Sequence, residues 1–207
     1  MAIRNKLSLV AFAAAAALAW AQPSAATDFT NAAFVQVASV NTSIPVGHLD
    51  FCRSRPGECQ ANANVQDAVT LTDANWQQLV AVNAHFNQTI IPVTDQELYQ
   101  VEEFWTYPTS GYGDCEDFAL AKRQALLEAG WPASTLLIAV VRQSDGSGHA
   151  VLMVRTDRGD LVLDNQESAI LLWNETPYQY LKRQSQAHSG QWVDMLDDRM
   201  TIVAANR

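Results

Sequence analysis

Along this chain of 207 residues the spacing of apolar positions changes character twice. From Thr72 onward, Trp76, Leu79, Val80 and Phe86 recur at helical spacing, with Asn83 in the same register. This predicts an amphipathic helix capped by Thr72 or Asp73 and ended before Pro92. Residues 94–110 hold no single period. Leu98, Val101, Phe104 and Trp105 allow a short helix there, and Pro108 to Gly113 must be loop. Helical spacing returns after Asp114, which stands as N-cap, with Asp117 as a variant of the capping box. Phe118, Ala121, Ala125 and Leu126, flanked by Leu127, form the apolar face of that helix. Gly130 suits the position just past its end, and Pro132 blocks continuation. The pattern then becomes short continuous apolar runs: Leu136–Val141, Ala150–Val154 and Leu161–Leu163. These predict buried strands, with Asp157-Arg158-Gly159 as a hairpin turn.

Helices followed by antiparallel strands indicate an α+β domain. Residues 27–70 show no clear period and are expected to be short strands and loops. No repeat or linker divides the chain, so residues 27–207 are expected to form one domain, and the 48% hydrophobic content suits one core. Trp173, Tyr178, Tyr180 and Trp192 near the end are expected to pack.

Composition changes the picture at the start of the chain. Arg4 and Lys6 precede a long apolar run, and small residues follow, with Ala19-Trp20-Ala21 and Ser24-Ala25-Ala26 as two cleavable stretches. Residues 1–26 therefore look like a secretory signal peptide, which implies a periplasmic or secreted protein with no membrane span after cleavage. Losing two bases and no acid takes the formal charge from −9 to −11. Nucleic acid is thereby excluded as a partner, because phosphate contacts need a basic patch. Cations such as calcium would be attracted.

Three cysteines are present: Cys52, Cys59 and Cys115. Export implies an oxidising compartment, and Pro56-Gly57 turns the chain between Cys52 and Cys59, so these two are expected to pair. Cys115 is left as a free thiol at the start of the clearest helix. Backbone N–H groups and the helix dipole there favour a thiolate, whereas Asp114 and Glu116 on either side oppose it.

A nucleophilic cysteine needs a base and a group that orients the base. His149 begins the second predicted strand and Asp164 follows the third, so the hairpin brings them within a pair or two. The order Cys115, His149, Asp164 is a candidate triad. Taken singly, each residue has a bland reading: a buried thiol, a polar strand end, a turn. His48 in an irregular segment, His85 on a helix and His188 in a polar tail are weaker candidates, and no histidine pair has zinc-ligand spacing. No motif for an organic cofactor stands out. Asp114, Glu116 and Asp117 offer hard oxygen ligands to calcium, although they also suit a helix N-terminus. Trp105 could wall a cleft or simply fill the core.

Gly113-Asp114-Cys115-Glu116-Asp117-Phe118-Ala119, then Lys122 and Gly130, Gly148-His149-Ala150-Val151-Leu152, Gly159 and Leu163-Asp164-Asn165 resemble the bacterial transglutaminase-like cysteine proteinases. The resemblance runs from about Phe51 to Trp192. It implies a papain-like, transglutaminase-like core in which a helix bearing the nucleophile packs on an antiparallel sheet. On that basis Cys115 would be the nucleophile, His149 the general base and acid, and Asp164 the orienting residue. The LapG-type branch contains calcium-dependent periplasmic proteases that clip a large surface adhesin and release biofilm cells. In that branch the acids beside the cysteine bind calcium, and they correspond to Asp114 and Glu116, with Asp117 adjacent. The resemblance thus implies a protein substrate in the cell envelope and an inner-membrane regulatory partner. The Cys52–Cys59 element and the run Trp173, Tyr178, Lys182-Arg183-Gln184 depart from that branch. Two other readings stay open: a transglutaminase-type acyl transferase, and a peptide-binding module without catalysis.

Overall fold

The computed structural model describes residues 30–199, so the expected signal peptide lies outside the described residues. A seven-stranded sheet is ordered β1-β9-β8-β4-β5-β6-β7. Its strands are β1 (Gln36–Thr42), β4 (Leu136–Arg142), β5 (Gly148–Thr156), β6 (Gly159–Leu163), β7 (Leu171–Leu172), β8 (Gln179–Gln184) and β9 (Trp192–Leu196). Every pairing in this sheet is antiparallel. Helices α1 (Val46–Ser54), α2 (Asp73–Thr89), α3 (Asp95–Leu98) and α4 (Cys115–Glu128) precede β4. A small parallel ladder joins β2 (Ile91–Pro92) to β3 (Tyr112–Gly113).

The apolar runs of β4, β5 and β6 are continuous because both faces of the sheet are covered. Leu136, Ile138, Leu152, Val154, Leu161 and Leu163 face Ala119, Leu120 and Leu126 of α4 and Leu79 of α2. Their neighbours Leu137, Ala139, Val141, Val151, Met153 and Val162 face the other way and pack with Val35, Tyr178, Tyr180 and Met195. Helix α4 stops where its sequence predicts. The Trp131 N–H bonds to the Leu126 carbonyl and the Gly130 N–H to that of Leu127, with Gly130 at φ 90°. Thr72 caps α2 by accepting from the Asn75 N–H at 3.2 Å.

Four expectations change. Tyr112–Gly113, expected as loop, form β3 because Ile91–Pro92 pairs with them. The segment 27–70 contains a helix, α1. His48 lies on that helix and is buried, its Nδ1 accepting from Trp192 Nε1 at 3.0 Å. In 94–110 only Asp95–Leu98 is helical, closed by a Thr94/Glu97 capping box. Val101, Phe104 and Trp105 lie beyond it. Asp114 holds the N-cap position without capping. Its Oδ2 accepts instead from the Asp95 N–H at 3.1 Å, and Asp117 Oδ1 accepts from the Thr106 N–H at 2.8 Å. These carboxylates hold the preceding loop against α4, and of the expected capping box only the interaction of Asp117 with the Asp114 backbone N–H remains.

The β5–β6 hairpin turns where expected. Gly159 sits at φ 116°, and a Cβ there would lie 2.5 Å from the Ala33 carbonyl oxygen. Cys52 and Cys59 are joined in a disulfide. No helix among the described residues is long and apolar enough to cross a membrane.

Candidate active site

The β2–β3 ladder fixes the chain as it enters α4. The Ile91 N–H bonds to the Gly111 carbonyl and the Val93 N–H to that of Gly113. Gly113 must lack a side chain, because a Cβ would fall 2.7 Å from Asp117 Oδ2. Cys115 then opens α4, partly exposed, with its Sγ donating to Glu116 Oε2 at 3.2 Å. Burial and the Glu116 carboxylate push the thiol well above its ordinary range. The Ala150 N–H, hydrogen-bonded to the sulfur, works the other way.

Leu152 pairs with Leu163 across β5 and β6. Continuing that register sets Val151 opposite Asp164 and His149 two residues away on the same side, a diagonal neighbour. No bulge is needed: His149 Nε2 and Asp164 Oδ1 are 2.8 Å apart, both side chains buried. Two further donors hold Asp164. Tyr178 Oη donates to Oδ2 at 2.5 Å, and the Gln166 N–H donates to Oδ1 at 3.0 Å. Asn87 of α2 donates to the Asp164 backbone carbonyl at 2.8 Å. Burial would raise the Asp164 carboxyl, but the bond and charge of His149, with the other donors, hold it below its ordinary value. An ionised Asp164 only accepts, so Nε2 carries the imidazole proton and Nδ1 is left as the basic nitrogen. Gln166 Nε2 lies 3.4 Å from that Nδ1.

Cys115 and His149 line one cleft of about 470 Å³, with Val46, Glu103, Trp105 and Lys182 among its walls. Trp105 does both things its sequence allowed: it walls the cleft and is 4% exposed. A second cavity of about 220 Å³ touches Asp164, Gln166 and Tyr178 but neither the thiol nor the imidazole.

The acidic residues divide. Asp114 and Asp117 meet Asp95, with ligand oxygens all within 4.8 Å of one another. Glu116 bridges that grouping and the thiol: its Oε2 accepts from the Cys115 thiol, and its carboxyl also interacts with those of Asp114 and Asp95. Asp95 Oδ1, Asp114 Oδ1 and Asp117 Oδ2 are buried and lack hydrogen-bond partners among the described residues. Burial, together with the Asp114 charge, raises Asp117 to about 8 and also raises Asp95. Three hard oxygens held this close fit a divalent cation such as calcium. A second grouping, His48 with Cys52 and Cys59, has its sulfurs joined to each other.

Sequence reasoning missed Asp95, Tyr178, Gln166 and Asn87. Asp95 lies nineteen residues before Asp114 in a stretch without a period. Tyr178 has the signature of a packing aromatic, and its polar role depends on where its hydroxyl points.

A helix carrying a thiol at its start, packed on an antiparallel sheet that carries an imidazole–carboxylate pair, defines the class as a transglutaminase-like α+β fold. The model of the bacterial transglutaminase-like cysteine proteinases matches residues 38–200, and the chain belongs to that family. Among solved structures it is similar to Legionella pneumophila LapG, with 30% identity and a TM-score of 0.50, covering 61% of this chain and 71% of that one. The calcium-bound form of LapG matches with 29% identity and a TM-score of 0.47, over 52% of this chain and 64% of that one, just under two thirds of its length. The EGTA-treated form matches with 28% identity and a TM-score of 0.49, over 60% of this chain and 73% of that one. No curated protein matches the chain.

Proposed function

We propose that this protein is an exported cysteine endopeptidase, acting in the periplasm or outside the cell on a cell-envelope protein, with Cys115 as nucleophile, His149 as general base and acid, and Asp164 as the orienting residue. The observation that carries this reading is the buried 2.8 Å contact of His149 Nε2 with Asp164, on a cleft that also holds Cys115. It leaves Nδ1 as the free base.

In the resting chain the thiol is protonated and bonded to Glu116, so the nucleophile forms only as the proton moves. His149 Nδ1 takes that proton as the sulfur attacks a peptide carbonyl. Free N–H groups of the first turn of α4, including that of Cys115, are donors for the oxyanion. His149 then protonates the leaving amine, and Asp164 stabilises the imidazolium in between. Water attacks the thioester, giving up its proton to His149, and the free thiol returns.

Calcium would be held by Asp95, Asp114 and Asp117, with Glu116 beside them, where it would supply positive charge among buried carboxylates. What supports this is the set of buried oxygens without partners, and the existence of a calcium-bound form of LapG is consistent with it. A protein substrate accords with the proteinase family, and an inner-membrane regulatory partner would accord with the LapG-type branch.

The test is to map new N-termini among envelope proteins of the source cell after incubation with the mature protein or its Cys115→Ala variant, with calcium or with chelator. Termini that require Cys115 and calcium are expected. Termini indifferent to calcium would remove the cation from the account. Absence of Cys115-dependent termini would overturn the peptidase reading, and incorporation of a labelled amine in their place would identify acyl transfer.

A further inference from the structure

Strand β8 changes face partway along its length. Val140 of β4 pairs with Lys182, and the next residue, Val141, pairs with Tyr180, so Leu181 is an extra residue in β8. In a regular strand Tyr180 and Lys182 would share a face. With Leu181 bulged they do not. Tyr180 packs on the far side of the sheet with Tyr178 and Met195, whereas Lys182 lines the cleft beside Val140. Bulges of this kind re-aim side chains beside active sites.

Lys182 is held where the bulge places it. Its Nζ donates to the carbonyl and the hydroxyl of Ser43, at 2.9 and 2.8 Å, in the segment between β1 and α1. An ammonium has three N–H groups, so one stays free for a ligand. No carboxylate among the described residues forms an ion pair with it. Of the described residues that wall the cleft, Lys182 alone carries an ammonium or a guanidinium. The two carboxylates there already have donors: Glu103 accepts from the Trp105 indole at 3.1 Å, and Glu116 from the Cys115 thiol.

The same register sets the distance from the chemistry. Val140 pairs with Ala150 on its other side, and the Ala150 N–H is bonded to the Cys115 sulfur. Lys182, Val140 and Ala150 therefore form one row across the sheet, two strand spacings or about 10 Å long. An extended peptide advances about 3.3 Å per residue, so a chain lying along this row comes level with Lys182 about two or three residues from the scissile bond.

We infer that Lys182 is the specificity-determining residue of this cleft, selecting substrates that carry an aspartate or glutamate side chain about two or three residues from the bond to be cut. The free N–H meets that carboxylate in a charge-assisted hydrogen bond, which an amide or apolar side chain in its place does not supply. This selection rests on the peptidase reading of the cleft.

The experiment is cleavage of a pool of randomised peptides by the full mature chain with calcium. The peptides are blocked at both ends, so that only a side chain can supply a carboxylate. The products should show Asp and Glu favoured over Asn and Gln at one position, by about tenfold in kcat/KM, the size of one hydrogen bond to a charged group. Lys182→Met should level that position, and Lys182→Glu should favour Lys and Arg there. Ser43→Ala, which keeps the ammonium, should leave the preference in place. A native protein that ignores charge at every position, or a preference that survives Lys182→Met, would overturn the proposal. So would a uniform loss of rate over all peptides with Lys182→Met, which would make Lys182 a tie to Ser43 only. Should the Lys182 variants not fold, the native preference decides: it must weaken as salt is raised, and indifference to salt refutes the contact. If the pool is not cut at all, the peptidase reading fails by itself. The selection is then read by capturing the pool on immobilised Cys115→Ala protein, with and without Lys182→Met. Acidic peptides enriched only with Lys182 present uphold it, and equal capture overturns it.

Discussion

His48 offers a sharp test of how burial and hydrogen-bond polarity set stability in this protein. Its Nδ1 accepts from the Trp192 indole at 3.0 Å, and its Nε2 faces Gln184 Nε2 at 3.2 Å. The Gln184 amide cannot flip, because its Oε1 accepts from the Ile138 N–H and its Nε2 donates to the Ser189 carbonyl. Both ring nitrogens meet N–H donors, with the Cys52 sulfur 3.6 and 3.8 Å from them as a weak acceptor for the neutral ring's one N–H, and a second proton on the ring would face an N–H donor. Burial, aided by the Arg123 charge, lowers the imidazole from 6.5 to about 4. The unfolded chain takes up the proton below about 6.5, and the folded chain only below about 4. Stability from this group is thus fully present above pH 6.5 and is lost between 6.5 and 4. The loss comes to about 3 kcal/mol at 1.36 kcal/mol per unit. His48→Gln keeps an oxygen for Trp192 and does not titrate. Urea unfolding at pH 7 and pH 4.5 should show the native chain losing roughly 2–3 kcal/mol more than the variant over that interval. Equal losses in the two proteins would refute the argument.

Other predictions concern single contacts. Tyr178→Phe removes one donor to the Asp164 carboxylate and should lower kcat about tenfold with the fold intact, since a hydrogen bond to a charge is worth roughly 1.5–3 kcal/mol; an unchanged kcat would make Tyr178 a packing residue after all. Calcium should raise the melting temperature of the native protein, and Asp95→Asn should abolish most of that rise. Equal rises would exclude Asp95 as a ligand. Gly159→Ala should cost at least about 2 kcal/mol in urea unfolding, because the added Cβ meets the Ala33 backbone at a positive φ. Replacing Cys52 and Cys59 together by alanine should cost about 2 kcal/mol for so short a loop. It should leave cleavage by Cys115 unaffected, which a peptidase assay would check.

The sequence by itself determined the parts that depend on local pattern. Helical spacing and a glycine stop fixed α4, apolar runs fixed β4 to β6, and the turn at Asp157-Arg158 fixed their pairing. That pairing made the approach of His149 and Asp164 legible, since a hairpin of known register leaves little freedom across two strands. Two cysteines on either side of Pro56-Gly57 foretold their own bond. Only the tertiary structure could decide the rest, because it turns on contacts between segments far apart in the chain. The β2–β3 ladder carries Asp95 to Asp114 and Asp117, and Glu116, their neighbour in sequence, meets both these carboxyls and the thiol. Helix α1 was hidden because its pattern is weak, and it is held by the disulfide and by His48 packed against Trp192. Tyr178 looked like any aromatic until β8 placed its hydroxyl on Asp164. Spacing along a chain can set which residues share a face. It cannot say which way a polar group turns, because that choice is made by the partners the fold brings within hydrogen-bonding reach.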